Sequence, residues 1–270
     1  MSRSLTVVLC DLDETLIDES PNVRAGYRAA AHYAADCFPS IDTDQFIDLA
    51  PVAVREIWWQ PDWLGPITER YGLSAWDGLS EEFRGPHREL DQLRDWLPDY
   101  RLAAWRNVFS RLDITAPRHV LDETARAFSW GRHKGRVRLA RGVAQMLPAL
   151  GDRAIGVVTN GPADGQEEKI HRAGLGRLLK AVVASTAAGA GKPDPALVAM
   201  CLEAMGNRRM DEVVIVGDSL ERDIQLAQNA GVPAVWITPS PPPAANLPPT
   251  VVAVASATNV AHAIARLEQR

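Results

Sequence analysis

The sequence of 270 residues has few cysteines, no long apolar run and no excess of basic residues. Its three cysteines, Cys10, Cys37 and Cys201, lack the paired spacing of a metal site or a disulfide framework. No run approaches the roughly 18 apolar residues of a membrane span, and the apolar N-terminal stretch is too short for a secretory signal. We therefore expect neither a disulfide-stabilised secreted domain nor a membrane protein, and the expected location is the cytoplasm.

Charge and composition narrow the class of protein further. The net charge is −5 at pH 7 and the isoelectric point is near 5.7. These values argue against nucleic acid as the main partner, because binding to phosphate backbones needs a clear basic excess. The hydrophobic fraction of 46% and the charged fraction of 23% are ordinary for a globular protein. A chain of this length can bury one large domain or two modest ones, and no feature predicts the oligomeric state.

The second half of the chain alternates short aliphatic runs with helical stretches. Helices are expected over residues 163–174, 193–206 and 219–231, since proline at a helix start and glycine just past its end are typical boundaries. Strands separated by such helices predict an α/β fold with a parallel, doubly wound sheet. The expected strands are the N-terminal run LTVVLC and residues 154–160, 181–185, 213–218, 233–238 and 250–254.

Between Asp18 and Arg138 the pattern changes to helical periodicity, as in RAGYRAAAHYAADCF and YRLAAWRNVFSRL. We therefore predict a discontinuous α/β core of residues 1–17 and 139–270, with a helical domain of residues 18–138 inserted after the first strand. Seven of the eight tryptophans lie in that domain, where aromatic residues at helical spacing are expected to fill the core. Trp58 and Trp59 are adjacent and cannot both point inward on a helix, so one is left to face a cleft or a partner surface.

Three of the expected strands end in polar residues that suit a single reaction. In an open parallel sheet, ligands bind at the carboxyl ends of the strands, near the point where the strand order reverses. Each residue alone has a structural explanation, such as a helix cap for a strand-end aspartate, but their order and spacing favour a site. The candidates are Asp11 and Asp13 from DLDET, Thr159 and Asn160 from VVTNG, Lys192 from GKPDP, and Asp218 and Asp223 from GDSLERD.

The motifs DLDET, VVTNG, GKPDP and GDSLERD, followed by AQNAG, carry a family resemblance. In this order they resemble the haloacid dehalogenase-like hydrolase superfamily, in the branch with a helical cap inserted after the first strand. The resemblance covers the core and implies a Rossmann-like sheet. It says little about residues 21–138, so the cap residues that line the cleft are not predicted.

Asp11 and Asp13 have the chemistry for covalent phosphoryl transfer. A carboxylate held at a strand end can attack phosphorus and form an aspartyl-phosphate, which splits one difficult step into two. Asp13, two residues on, is placed to protonate the leaving oxygen and later to activate water. The resemblance implies the same two roles. For Glu14, the next residue, we predict no role.

Several acids around a phosphate dianion require a cation. Oxygen ligands suit Mg²⁺, and no cluster of histidine and cysteine competes for a softer metal. By the resemblance, Mg²⁺ is bound by Asp11, the backbone carbonyl of Asp13, and Asp218, while Asp223 orients water or the lysine.

The phosphate group has its own candidate ligands. Thr159 and the neighbouring backbone N–H groups, including that of Asn160, can hold phosphate oxygens. Lys192 supplies positive charge that stabilises the transition state. Phosphoryl transfer depends mostly on positioning and electrostatics, and these residues supply both.

The leading hypothesis is a Mg²⁺-dependent phosphatase with a small phosphorylated substrate, of the sugar phosphate or nucleoside monophosphate type, and a mobile cap that excludes water. The acid at Asp13 favours phosphate-ester hydrolysis or phosphate migration, since the resemblance implies that dehalogenases lack it. Two alternatives stay open: a phosphomutase on the same scaffold, and a non-catalytic regulatory or binding protein that retains the fold.

Two further segments have open interpretations. The basic segment GRHKGRVRLAR, with Arg132, Lys134, Arg136, Arg138 and Arg141, could steer an anionic substrate or be a solvated connection. The proline-rich segment TPSPPPAANLPP could be a polyproline ligand, but its place between two strands favours a rigid surface connection.

Overall fold

A computed structural model describes residues 4–135 and 137–269. The described residues divide into two compact units. The first unit contains residues 4–18, 137–160 and 166–269, and the second contains residues 19–135 and 161–165.

The first unit is built on a six-stranded parallel sheet, ordered β5-β4-β1-β6-β7-β8. This order confirms the predicted α/β class with a parallel sheet. A separate antiparallel pair joins two short strands, β2 and β3. The strands are β1 (Val7–Cys10), β2 (Ile17–Asp18), β3 (Arg138–Leu139), β4 (Ala154–Thr159), β5 (Leu179–Ala184), β6 (Val213–Gly217), β7 (Ala234–Ile237) and β8 (Val251–Val254).

Strand β1 lies in the middle of the sheet and all four of its residues are buried. Val7 and Leu9 pack into one hydrophobic cluster, whereas Val8 and Cys10 pack into another. Since successive side chains of a strand point to opposite faces, the sheet is covered on both sides. Helices α10 and α11 supply the first cluster, and α7, α8 and α12 supply the second, which confirms the doubly wound arrangement.

The helices of the first unit begin and end near the predicted proline and glycine residues. The helix predicted for residues 193–206 is shorter, because Pro195 precedes its first residue and its last turn ends at Ala204. The helix predicted for residues 219–231 begins with a π-helical turn over Leu220–Ile224. The α-helices are α7 (Val143–Ala149), α8 (Ala163–Ala173, whose first three residues belong to the second unit), α9 (Ser185–Ala188), α10 (Ala196–Ala204), α11 (Gln225–Ala230) and α12 (Val260–Glu268).

The second unit is helical. Its longest helices pack closely where residues are small: a Cβ added to Gly131 would lie 2.6 Å from the Ala25 carbonyl oxygen and from the Ala29 Cβ. This close approach of α6 to α1 requires glycine at position 131. The helices are α1 (Ser20–Cys37), α2 (Thr43–Trp58), α3 (Leu64–Tyr71), α4 (Ala75–Ser80), α5 (Glu89–Ser110) and α6 (Arg118–Lys134).

Aromatic side chains fill the core of the helical unit, as predicted. Trp58 and Trp105 are fully buried, and Trp58 packs edge-on against Tyr100 at 5.2 Å between ring centroids. Trp59 is 50% exposed, so the prediction that the adjacent pair cannot both point inward is confirmed. Trp130 is also exposed, and the Lys134 ammonium lies 4.0 Å from its ring centroid.

The proline-rich segment and the three cysteines can also be compared with their predictions. The proline-rich segment joins β7 to β8 and is mostly exposed, with one short 3₁₀ turn at Ala244–Asn246, as expected for a surface connection. All three cysteines are free, and Cys10 is buried in β1 as a small apolar residue. In the described part of the chain, every helix falls short of the length and apolar character that crossing a membrane requires.

Candidate active site

The strand order reverses at β1, which has β4 on one side and β6 on the other. Asp11 follows β1 directly, and its backbone N–H donates to the Val216 carbonyl at 2.9 Å. This bond extends the ladder by one residue and holds the carboxylate of Asp11 at the carboxyl end of the central strand. Asp11 is 7% exposed, so only a small part of its surface is open to a reacting group.

Lys192 joins two of the candidate acids. Its Nζ lies 2.5 Å from Asp11 Oδ1 and 2.6 Å from Asp223 Oδ1, and all three side chains are buried. The other oxygen of Asp223 accepts a hydrogen bond from the Ser219 N–H at 3.0 Å. Both oxygens of Asp223 are therefore engaged, which suits a residue that fixes the lysine.

Asp218 is more open than its neighbours. Its Oδ1 accepts a hydrogen bond from the Thr15 hydroxyl at 3.2 Å, and its backbone carbonyl accepts one from Trp236 Nε1 at 2.8 Å. Thr15 and Trp236 were not predicted as site residues. Thr15, on the turn after β1, and Trp236, in β7, hold Asp218 in position.

The three aspartates could hold a cation. One carboxylate oxygen from each of Asp11, Asp218 and Asp223 lies within 4.8 Å of the others. The donors are all oxygen, which is the donor set that Mg²⁺ prefers. The residues therefore fit the predicted ion, with Asp218 the most accessible carboxylate and Asp223 already occupied by donors.

The electrostatics of the site favour a bound cation. Burial raises the pKa of Asp11 to about 7, against the attraction of Lys192. Burial, and next the charge of Asp223, also raise the pKa of Asp218. For Lys192, burial disfavours the charged form, but Asp11 and Asp223 outweigh it and raise the pKa of Lys192. A divalent cation would lower the pKa values of the aspartates and keep Asp11 ionised.

Thr159 and Asn160 lie at the end of β4, next to β1. The Thr159 hydroxyl accepts a hydrogen bond from Gln166 Nε2 at 2.7 Å. The side-chain amide of Asn160 is used to hold a neighbour: Oδ1 accepts from the Lys192 N–H at 2.7 Å, and Nδ2 donates to the Lys192 carbonyl at 3.4 Å. Asn160 thus positions the backbone of Lys192 with both polar atoms of its side chain.

Two residues of α8 were missed in the sequence. Lys169 Nζ lies 2.9 Å from both carboxylate oxygens of Asp13, and Gln166 Nε2 lies 2.9 Å from Asp13 Oδ2. Their spacing of three places both on one face of a helix that begins just after the β4 motif. That spacing in GQEEKI was the available signal.

The basic segment separates into different environments. Arg132 is 2% exposed and pairs with Glu19, Asp77 and Glu81 of the helical unit. The prediction that it steers substrate or lies in a solvated connection is therefore wrong for Arg132, because its charge is buried among three acids. Lys134, Arg138 and Arg141 are exposed, and Arg136 lies outside the described residues.

Comparison with known proteins gives the family. The family model of the haloacid dehalogenase-like hydrolases matches residues 5–231. The chain belongs to this family. The resemblance inferred from DLDET, VVTNG, GKPDP and GDSLERD is confirmed.

Relatives of this haloacid dehalogenase-like hydrolase include phosphatases. The phosphoserine phosphatase of Thermus thermophilus is 30% identical over 235 residues, which is 86% of this chain and 88% of that protein. The human N-acylneuraminate-9-phosphatase is 32% identical over 144 residues, 52% of this chain and 57% of that protein. Together with the family, these relatives confirm the prediction that the chain is an enzyme, a phosphoric monoester hydrolase.

The fold of this chain also resembles that of solved proteins of the family. The haloacid dehalogenase-like hydrolase YfnB of Bacillus subtilis, solved with magnesium, has a TM-score of 0.60 at 18% identity and covers 97% of this chain and 99% of that one. At this identity the likeness establishes the fold alone.

Proposed function

We propose that this protein is a Mg²⁺-dependent phosphatase that hydrolyses the phosphate monoester of a small metabolite through an aspartyl-phosphate on Asp11. The observation that carries the proposal is the contact of Lys192 Nζ with Asp11 and Asp223 at the carboxyl end of β1. It combines a rigid buried nucleophile with a fixed positive charge. The acid Asp13 stands two residues away and is held separately by α8.

The reaction divides into two balanced steps. In the first, an oxygen of Asp11 attacks phosphorus, the bond from phosphorus to the ester oxygen breaks, and Asp13 gives that oxygen a proton. In the second, water attacks the phosphorus of the aspartyl-phosphate while Asp13 takes a proton from the water. The bond between phosphorus and Asp11 breaks, which releases inorganic phosphate and restores both aspartates.

The rest of the site stabilises charge. Thr159 and the backbone N–H of Asn160 bind phosphate oxygens, and Lys192 offsets the negative charge on the transferring group. Asp11, Asp218 and the backbone carbonyl of Asp13 would hold Mg²⁺, which supplies positive charge against the crowded aspartates and the phosphate.

The helical unit is proposed to be the cap that selects the substrate. The sequence predicted such a cap over residues 18–138, and the described helical unit begins at Glu19. Its tryptophan-rich core gives a stable body whose surface side chains can differ between relatives.

The substrate class rests on the relatives and on the sequence. The phosphatases named above act on phosphoserine and on an N-acylneuraminate 9-phosphate, as their names state. Sugar phosphates and nucleoside monophosphates are the types predicted from the motifs. We propose a small phosphorylated substrate from this range, and the cytoplasmic location stays a prediction.

A screen tests the function. Purified protein is assayed for phosphate release from 4-nitrophenyl phosphate, phosphoserine, pyrimidine mononucleotides and sugar phosphates, with Mg²⁺ and with a chelator. Activity should require Mg²⁺, and Asp11→Asn should abolish both turnover and the acid-stable phosphoenzyme trapped from labelled substrate. The matched control is Asp152→Asn, which alters an exposed aspartate of the same unit.

The alternatives give different outcomes. A folded protein that is inert on the whole panel would overturn the phosphatase and leave the non-catalytic binding protein. A phosphomutase would return an isomeric phosphate ester without net release of inorganic phosphate, and it would need a bisphosphate for full activity.

A further inference from the structure

The carboxylate of Asp13 is held by two residues of α8. Lys169 Nζ lies 2.9 Å from each of its oxygens, and Gln166 Nε2 lies 2.9 Å from Oδ2. These three contacts with its two oxygens fix the position of the carboxylate and the orientation of its plane. This matters because Asp13 stands on the turn after β1, where its own side chain keeps partial exposure to solvent.

Both donors are themselves buried. Lys169 is 8% exposed and Gln166 is 1% exposed. Lysine is rarely buried unless its charge is paired, and here the pair is Asp13. The two side chains project from one face of α8, so the helix fixes them at a constant separation.

Gln166 also links Asp13 to the phosphate-binding strand end. Its Nε2 lies 2.7 Å from Thr159 Oγ1 and 2.8 Å from the Asn160 carbonyl oxygen. Three oxygens around Nε2 decide the orientation of the amide, because the reverse orientation would place Oε1 against them. Oε1 is buried without a hydrogen-bond partner among the described residues, which costs free energy. The three hydrogen bonds of Nε2 offset that cost.

We propose that Lys169 and Gln166 are positioning residues that aim the carboxylate of Asp13 at the leaving oxygen and then at water. The proposal rests on the proposed phosphatase function. Neither residue touches the reacting phosphate in this assignment. Lys169 acts through Asp13, and Gln166 acts through Asp13 and through Thr159. General acid–base catalysis contributes typically 10²- to 10⁴-fold, and part of that factor depends on how well the acid is aimed.

The test uses leaving groups that differ in their need for a proton. For each variant, kcat/KM is measured on 2,4-dinitrophenyl phosphate, whose phenolate leaves readily, and on phenyl phosphate, whose leaving oxygen needs the proton. This parameter covers the steps up to departure of the leaving group. Lys169→Met should lower kcat/KM about 10²-fold on phenyl phosphate and only about threefold on the dinitrophenyl ester. A merely structural lesion would lower both by the same factor.

A double-mutant cycle tests whether the effect passes through Asp13. In the Asp13→Asn background, Lys169→Met should cost no more than about twofold on phenyl phosphate, because the residue that it positions is already gone. Gln166→Met also removes the hydrogen bond to Thr159, so it should lower kcat/KM on both esters, but by a larger factor on phenyl phosphate. It gives a second test if Lys169→Met fails to fold. Lys169→Arg, which keeps the charge and the donors, should recover part of the loss.

Two matched controls lie on exposed positions. Lys180→Met repeats the substitution on an exposed lysine of β5, and Glu168→Gln changes an exposed residue of α8. Both should keep wild-type kcat/KM on both esters. Equal losses on the two esters, or a full additional loss in the Asp13→Asn background, would overturn the positioning role. A wild-type protein that is inert on every ester would instead overturn the proposed function, and this proposal with it.

Discussion

The carboxylate of Asp223 packs directly against the backbone of Gly217. A Cβ added to Gly217 would lie 2.2 Å from Asp223 Cγ and 2.3 Å from Oδ2. No side chain fits there unless Asp223 moves, and Asp223 is fixed by Lys192 and by the Ser219 N–H. The last residue of β6 thus controls the position of Lys192, which contacts Asp11.

Gly217→Ala should therefore damage the site without removing a charged group. We expect kcat to fall at least about tenfold, and unfolding in urea should reveal a loss of about 1–3 kcal/mol from overpacking. Gly176→Ala is the matched control, because nothing lies within 4 Å of a Cβ at that position. Wild-type kcat in Gly217→Ala would contradict the prediction.

Lys192→Met should affect both activity and stability. Removal of the ammonium leaves Asp11 and Asp223 buried without their partner, which typically costs about 3–5 kcal/mol. In the proposed mechanism Lys192 lies next to the transferring phosphate, so the loss of its charge should lower kcat by about 10²- to 10³-fold. Circular dichroism confirms folding before the assay, and Lys180→Met is the control. A folded variant within about threefold of the wild-type kcat would refute the assigned role.

Asp218 and Asp223 should differ in their response to Mg²⁺. Asp218→Asn should raise the Mg²⁺ concentration for half-maximal activity by at least about tenfold, because its carboxylate is the open ligand. Asp223→Asn should mainly lower kcat, since both its oxygens already accept hydrogen bonds from protein donors. Titration of activity with Mg²⁺ checks both variants, and equal shifts in the two would show that the ligand assignment is wrong.

Arg132→Met should destabilise the helical unit. The guanidinium lies 2.7–2.9 Å from carboxylate oxygens of Glu19, Asp77 and Glu81, and its loss leaves three buried acids together. We expect a decrease of about 3–5 kcal/mol in the free energy of unfolding, measured by urea denaturation. Arg28→Met, on the exposed side of α1, should change it by less than about 0.5 kcal/mol.

The same cluster predicts a pH dependence of stability. Burial alone would raise the pKa of Glu81, but the hydrogen bond from His133 and the charge of Arg132 lower it from 4.5 to about 2. Its folded pKa lies below the unfolded one, so its stabilisation is present above pH 4.5 and is lost as the pH falls towards 2. The full contribution is at most about 3 kcal/mol.

A comparison of wild type with Glu81→Gln measures this contribution. The difference in unfolding free energy should be largest above pH 5 and should shrink between pH 4.5 and the lowest pH at which both proteins fold. Glu168→Gln, an exposed change, should track the wild type throughout. A difference that stays constant with pH would exclude the ionised Glu81 as its source.

The sheet and the order of the motifs could be predicted from sequence, because both are local properties. The aliphatic runs and their bounding glycines lie within a few residues of each strand, and the carboxyl ends of parallel strands share one edge. The side-chain partners are a different matter. Lys169 and Asp13 are 156 positions apart, and Arg132 and Glu19 are 113 apart. The spacing of Gln166 and Lys169 in QEEKI indicates that they share one face of a helix, but nothing local shows that this face meets Asp13. Only the packing of α8 beside the turn after β1 brings the lysine to its acid.

Arg132 illustrates the same limit. Its neighbours in the chain are basic, which favours a solvated segment, yet its partners come from the start of α1 and from α4. The composition of the basic segment predicts only the average exposure of its residues. It does not show that Arg132, from its position on α6, points into the interior of the helical unit. By contrast, the adjacent tryptophans were separable by helical geometry alone, since that geometry excludes two inward side chains in succession.

The central place of β1 has a consequence for synthesis of the chain. Val7 precedes its strand partners Ala154 and Val213 by 147 and 206 residues, so it leaves the ribosome long before either of them. Residues 19–135 are contiguous, so they can fold before β4 and β6, the sheet neighbours of β1, have been made. Asp11 therefore acquires its position only after β6 and the turn that carries Asp223 have been made. Chains that terminate before that point contain helices α1 to α6 of the second unit but no organised Asp11, so we expect truncated products to release no phosphate.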